Sequence, residues 1–143
     1  MYSVFLAHRY RAKPALVHSL THVLETQGFQ VLNPFYNNSW KTMLTKRWVR
    51  GERTPELARE IVESDFELVR NSDALVWLYD TRHHSYVGSA MECLLAFLYG
   101  KPTVLYSTVR GLRQSKPHFL AVVSAYTESL LEVPRLLRQL LEG

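Results

Sequence analysis

Four short apolar runs, SVFLA at 3–7, FQVL at 29–32, DALVWLY at 73–79 and PTVLY at 102–106, are separated by stretches long enough to hold a helix. An apolar run without polar alternation suits a strand covered on both faces. Strands alternating with helices of crossover length predict a parallel sheet, doubly wound, with helices on both sides and right-handed connections. The 143 residues suit one domain spanning 1–143 with a real core.

The punctuation between the runs agrees with this pattern. Pro14 suits the first turn of a helix over 13–27, Gly28 suits its stop, and Leu16, Val17, Leu20, Val23 and Leu24 form its apolar face. Thr54-Pro55-Glu56 is a helix start, with Thr54 as cap, and that helix runs to about residue 71. A further helix is expected over 88–99, stopped by Gly100, and a last one from Pro134 to about residue 141. Residues 35–53, polar, aromatic and basic, read as a long connecting loop. The stretch 118–126 fits a helical turn, a short fifth strand, or both.

In a doubly wound sheet ligands bind beyond the carboxyl ends of the strands. That directs attention to residues 8–10, 33–38, 80–92 and 107–110. Glu92 stands out as the only charged residue between Arg82 and Lys101, in a helix that is otherwise apolar almost all round. A charge in such a helix is costly unless it is paired or placed at an end. Read as a first-turn residue behind Val87-Gly88-Ser89-Ala90, Glu92 suits two roles equally. One is a capping carboxylate favoured by the helix dipole; the other is a nucleophile at the rim of a cleft. Asp65 falls in the middle of the stripe Ala58, Ile61, Val62, Leu68, Val69, where a carboxylate needs either a hydrogen-bond partner or a purpose. The two acids flank the run 73–79, and both could reach the same end of the sheet.

Other residues carry weaker signals. Asn37 and Asn38 could read a nucleobase edge or simply form a turn. Tyr10, Phe35, Tyr36, Trp40 and Trp48 could stack on a planar base, whereas Phe5 sits inside a strand and fits the core better. The six histidines and one cysteine show no metal-ligand spacing, so no metal or cofactor is expected. No G-x-S-x-G, P-loop or G-x-G-x-x-G motif is present, which argues against a serine hydrolase, a P-loop enzyme or a dinucleotide-dependent oxidoreductase. The net charge of +4 is modest and its basic residues are dispersed, which suits a small anionic ligand better than nucleic acid. No signal-peptide flanks and no membrane-length apolar stretch occur, and the lone Cys93 cannot form an internal disulfide. A cytoplasmic setting, away from membranes, is the simplest expectation.

The ordered set VFLA, the Asn33-Pro34 turn, IVESDFELVRNSDALVWLYD and VGSAMECLLAFLYGKPTVLYS resembles the nucleoside 2-deoxyribosyltransferase family, from Ser3 to about Ser107. The resemblance implies a flavodoxin-like fold with a five-stranded parallel sheet. It also implies a homo-oligomer with sites near subunit interfaces, acting on a nucleoside or nucleotide and a free nucleobase. It places the nucleophile that forms a glycosyl-enzyme on Glu92, and the helix aspartate that binds and protonates the base on Asp65. The base-contacting polar residue falls on or near Asn38, and the first-strand aromatic that orients the nucleophile near Phe5, without the hydroxyl found in many relatives. His8, Arg9, Tyr10, Asn37, Gly88 and Ser89 are the remaining candidates for substrate contact. Tyr86 stands six residues before Glu92, where transferases of the family carry an Asp. The members that hydrolyse nucleoside 5′-monophosphates also lack that Asp, and Arg9, Arg11 and Ser89 lie on the expected phosphate side.

Overall fold

The computed structural model describes residues 1–9, 11–33, 39–81, 87–115 and 117–143, with the backbone alone for 39–42, 87 and 119. Five strands form one sheet: β1 (Ser3–Ala7), β2 (Gln30–Leu32), β3 (Ala74–Tyr79), β4 (Thr103–Ser107) and β5 (Ala125–Thr127). Their order is β2-β1-β3-β4-β5 and every pairing is parallel. That order is flavodoxin-like, as expected, and it has one topological switch point, between β1 and β3. The chain steps outward from β1 to β2 and then returns to the other side of β1.

Among the described residues seven helices join and cover the strands: α1 (Pro14–Thr26), α2 (Ser39–Val49), α3 (Pro55–Asn71), α4 (Val87–Leu98), α5 (Leu112–Ser115), α6 (Pro117–Leu120) and α7 (Glu132–Glu142). The local signals explain their ends. Pro14 opens α1, and Gly28 follows it with φ +90°, a conformation that excludes most side chains. The Thr54 hydroxyl accepts from the Leu57 N–H at 3.1 Å, capping α3. Within 118–126 both expected elements occur in sequence, with α6 reaching Leu120 and β5 starting at Ala125. The last helix begins at Glu132, two residues before Pro134, because proline is tolerated anywhere in a first turn whose N–H groups lack helical partners.

One expectation is corrected. Residues 35–53 are not a plain loop, because α2 occupies 39–49 and packs against α3. Its sequence is too polar for a clean apolar stripe, and among its described side chains Leu44 and Thr45 are the buried ones.

Alternation along the strands divides the core in two. Val4, Leu6, Val76 and Leu78 face α1 and α7 and pack with Val17, Leu20, Leu24, Val133 and Leu137. Phe5, Ala7, Leu75, Trp77 and Tyr79 face the other way, against Val69 of α3, Cys93 and Ala96 of α4, and Leu112 of α5. All six residues of β3 are buried, as the central strand of a doubly wound sheet requires. Among the described residues no helix is long and apolar enough to cross a membrane.

Candidate active site

The switch point holds a cluster of polar side chains. Strand register sets Ala7 beside Trp77, so the chain leaves β1 and β3 at neighbouring points of the carboxyl edge. There the Arg9 guanidinium clasps Asp80: Nε donates to Oδ1 and Nη2 to Oδ2, both at 2.9 Å. The Asp80 side chain is 3% exposed and that of Arg9 17%. A two-pronged pair of this kind fixes geometry as well as charge. Beside it, the buried His8 ring lies 2.7 Å through Nδ1 from the Arg9 carbonyl, which can only accept. Nδ1 therefore carries the proton, and in the neutral ring Nε2 accepts from the Asn33 amide nitrogen at 3.1 Å. Burial holds the His8 pKa below 6.5, against the opposing pull of its hydrogen bonds to Arg9 and Asn33. The ends of β1, β2 and β3 are thus tied by one polar cluster.

Glu92 comes to this end from α4. The sheet-facing side of that helix is Ser89, Glu92, Cys93 and Ala96, all buried, at the i, i+3, i+4, i+7 spacing of one helical face. The helix starts at Val87, which makes Glu92 its sixth residue, and no acidic residue occupies the first turn. The first-turn placement is therefore corrected, and with it the capping role, since orphan N–H groups belong to the first turn alone. A carboxylate 7% exposed and past the first turn has another reason to be there. Helical side chains lean toward the helix N-terminus, so this one leans back toward the carboxyl edge of the sheet. Gly88 is exposed, and a Cβ built there would meet no atom of the described residues within 4 Å.

Asp65 approaches from α3. It lies on the inward side of that helix between the buried Leu57 and Val69, and it lines a cavity of about 220 Å³. The other walls are Thr45 and Trp48 of α2 and Ala58, Ile61 and Val62 of α3, mostly apolar. α3 and α4 pack together on the same face of the sheet. Asp65 stands six residues before the last residue of α3 and Glu92 six before the last of α4. At about 1.5 Å per residue, each lies roughly 9 Å up its helix from the end that feeds the next strand.

The remaining candidates divide. Ser89 is buried beside Glu92. Phe5 has no exposed surface and lies in the same core cluster as Leu75 and Cys93, as its place inside β1 leads one to expect. Arg9, expected on the phosphate side, is committed to Asp80. Tyr10, Asn37, Asn38 and Tyr86 lie outside the described residues. The sequence reading missed Asp80 and Asn33 as individual residues. An Asn33-Pro34 turn and an acid directly after an apolar strand were the available signals, but the partners of each come from another strand. Among the described residues no three of His, Cys, Asp and Glu come together as metal ligands. Burial pushes the Cys93 thiol up to about 12, which keeps it protonated and a poor nucleophile. Chemically, the arrangement offers a buried carboxylate on the sheet-facing side of α4 and a second carboxylate beside an apolar cavity.

Comparison with known proteins points the same way. The chain is similar in structure to a 2-deoxyribosyltransferase from Bacillus psychrosaccharolyticus, with 18% identity, 92% of this chain and 90% of that chain covered, and a TM-score of 0.69. It is also similar to the CMP N-glycosidase of Clostridium botulinum, with 18% identity, 96% and 98% covered, and a TM-score of 0.54. Likenesses at that identity establish the fold. No curated protein matches the sequence. The family model for nucleoside 2-deoxyribosyltransferase matches residues 4–121, well over half of the chain. The chain therefore belongs to the nucleoside 2-deoxyribosyltransferase family.

Proposed function

We propose that this protein cleaves the N-glycosidic bond of 2′-deoxynucleosides through Glu92 and passes the deoxyribosyl group to a second nucleobase. The observation that carries this reading is the burial of Glu92 on the sheet-facing side of α4, past the turn where a capping role would place it. In the first step a Glu92 carboxylate oxygen bonds to the anomeric carbon as the carbon–nitrogen bond breaks. The base leaves with the bonding electron pair and takes a proton. In the second step a nitrogen of the incoming base attacks the same carbon, the ester to Glu92 breaks, and the incoming base loses its proton.

Asp65 is the group assigned to hold and protonate the base. Its cavity supports that role: the apolar walls suit a planar ring, Trp48 supplies a flat surface, and the carboxyl supplies the polar contact that sets orientation. Ser89 and Gly88 at the start of α4 fall to the sugar, with His8 and Tyr10 after β1. Asn37, Asn38 and Tyr86 are assigned to the base and sugar on the family's pattern. A second copy of the chain is the expected neighbour. The outer side of α4 leaves Met91, Leu94, Phe97 and Leu98 between 45% and 70% exposed, an apolar stripe that suits burial against another subunit. Light scattering should give a dimer or larger, and Leu94→Glu should dissociate it.

A second reading is hydrolysis of deoxynucleoside 5′-monophosphates by the same nucleophile, with water as acceptor. It is favoured by Tyr86 in place of the transferase Asp. One experiment separates the two. The protein is incubated with thymidine or deoxyuridine plus adenine, and separately with dCMP and dGMP, and products are followed by chromatography. New deoxyadenosine supports transfer; free base from monophosphates alone supports hydrolysis. No turnover in any arm contradicts both.

A further inference from the structure

Two polar side chains line the cavity of about 220 Å³ between α2 and α3, and the transfer chemistry uses only one of them, Asp65. The other is Thr45 of α2, which is 8% exposed and sits among the apolar walls Trp48, Ala58, Ile61 and Val62. The Thr45 hydroxyl has no hydrogen-bond partner among the described residues. Nor is it sealed in the core, as the Thr103 hydroxyl is. It therefore opens onto the cavity that Thr45 lines. A hydroxyl so nearly buried is costly when unpaired, and a ligand's polar atom is what would pair it. The wall beside it is held in place. Arg53 Nε donates to the Trp48 carbonyl at 3.0 Å, and the guanidinium lies 5.0 Å from the centre of the Trp48 ring.

We propose that Thr45 is a specificity-determining residue for the base: its hydroxyl pairs with an exocyclic nitrogen or oxygen of the ring that enters beside Asp65. This rests on the reading that this cavity receives the base. Apolar walls hold any planar ring of the right size and choose poorly between rings. A desolvated polar group does choose, because a ring with only hydrogen at the facing position leaves the hydroxyl unpaired. A hydroxyl both donates and accepts, so it satisfies an amino group and a carbonyl alike. The site then takes amino-bearing and oxo-bearing rings on similar terms, and it rejects the ring that carries neither group.

The test compares ligands that differ in one group. In the full chain carrying Glu92→Gln to stop turnover, calorimetry gives the affinities of 2′-deoxyadenosine against purine 2′-deoxyriboside, and of 2′-deoxycytidine against 2-pyrimidinone 2′-deoxyriboside. Each is measured as the nucleoside and as the 5′-monophosphate, and the tightest-bound pair is carried forward. The Glu92→Gln protein should prefer the member with the amino group. Adding Thr45→Val, which keeps the shape and removes the hydroxyl, should cut that preference roughly fivefold or more, and Thr45→Ser should keep it. Differences intrinsic to the two rings cancel in that comparison. Without ligand, Thr45→Val should not lower the unfolding midpoint, because the hydroxyl has no partner to lose among the described residues. The proposal is overturned if no ligand binds, if neither member of a pair is preferred, if Thr45→Val leaves the preference unchanged, if Thr45→Ser loses it equally, or if the midpoint falls. The reading of the cavity is tested separately by Trp48→Ala. Weaker binding of both members supports it, and unchanged binding of both contradicts it together with the role of Thr45. Failure of the Glu92 assignment reads out as full turnover by Glu92→Gln alone.

Discussion

The two faces of the sheet differ in what they tolerate. On the α1 and α7 side Val17, Leu20, Leu24, Val133 and Leu137 close over the strands with apolar contacts. On the α3 and α4 side the same strands meet Cys93 and the buried Glu92, with Ser89 next to it and Asp65 beside a cavity. One face is packed for stability. The other gives up apolar contact to hold carboxylates where the strands end. The carboxyl ends of β1, β2 and β3 join the two, through the His8–Asn33 and Arg9–Asp80 pairs. Damage to the two faces should therefore produce different symptoms.

The largest effect is expected on the polar face. Glu92→Gln should lower turnover by roughly 10³-fold or more with little change in the unfolding midpoint, measured by product chromatography and thermal melting on the same sample. Next comes the apolar face. Leu20→Ala, at a site with no exposed surface, should cost about 2–5 kcal/mol in denaturant unfolding yet leave the turnover of the folded fraction unaltered. If the two symptoms were exchanged, the division of labour between the faces would be wrong. Asp65→Asn should lower kcat/KM by roughly 10²-fold, the range for a lost proton-transfer group, with the fold intact by circular dichroism.

The joint between the faces has its own signature in pH. His8 is held neutral by burial, so its folded-state pKa lies below the 6.5 of the unfolded chain. The unfolded state then binds more protons in that window. The contribution is fully present above pH 6.5 and is lost as the pH falls toward the folded-state value. The unfolding midpoint should therefore fall more on acidification in the parent than in His8→Gln, by calorimetric scanning across that range. The smallest effect is at Cys93. With its thiol pushed up to about 12, the native protein should resist iodoacetamide, and Cys93→Ala should turn over substrate as the parent does. Rapid alkylation of the native chain would show that this face is more open than its packing indicates.

How much of the molecule was legible in the sequence depends on whether a signal is local. The strands at 3–7, 73–79 and 102–106 and the helix starts at Pro14 and Thr54 declare themselves in runs of a few residues, and the parallel fold follows from their alternation. Glu92 and Asp65 were visible as charges on apolar faces. Helix α2 was hidden because its basic and polar residues obscure the only regular spacing it has, Trp40, Leu44 and Trp48 at intervals of four. Glu92 was read as a first-turn residue behind Val87-Gly88-Ser89-Ala90, whereas those four residues are themselves the first turn of α4. The Arg9–Asp80 pair could not be read at all. Its members are 71 residues apart, and they meet only because β1 and β3 are neighbours with Ala7 set beside Trp77. Strand order comes from the packing of the whole chain and leaves no local mark.

The central claim is that Glu92 carries the sugar between two bases. Rapid quenching of the protein with a 2′-deoxynucleoside in the absence of acceptor, followed by peptide mapping in a mass spectrometer, tests it most directly. The expected result is one deoxyribosyl unit on the peptide that contains Glu92, lost on adding a free base and absent from Glu92→Gln. Turnover with no adduct on that peptide, or undiminished turnover in Glu92→Gln, would contradict the account.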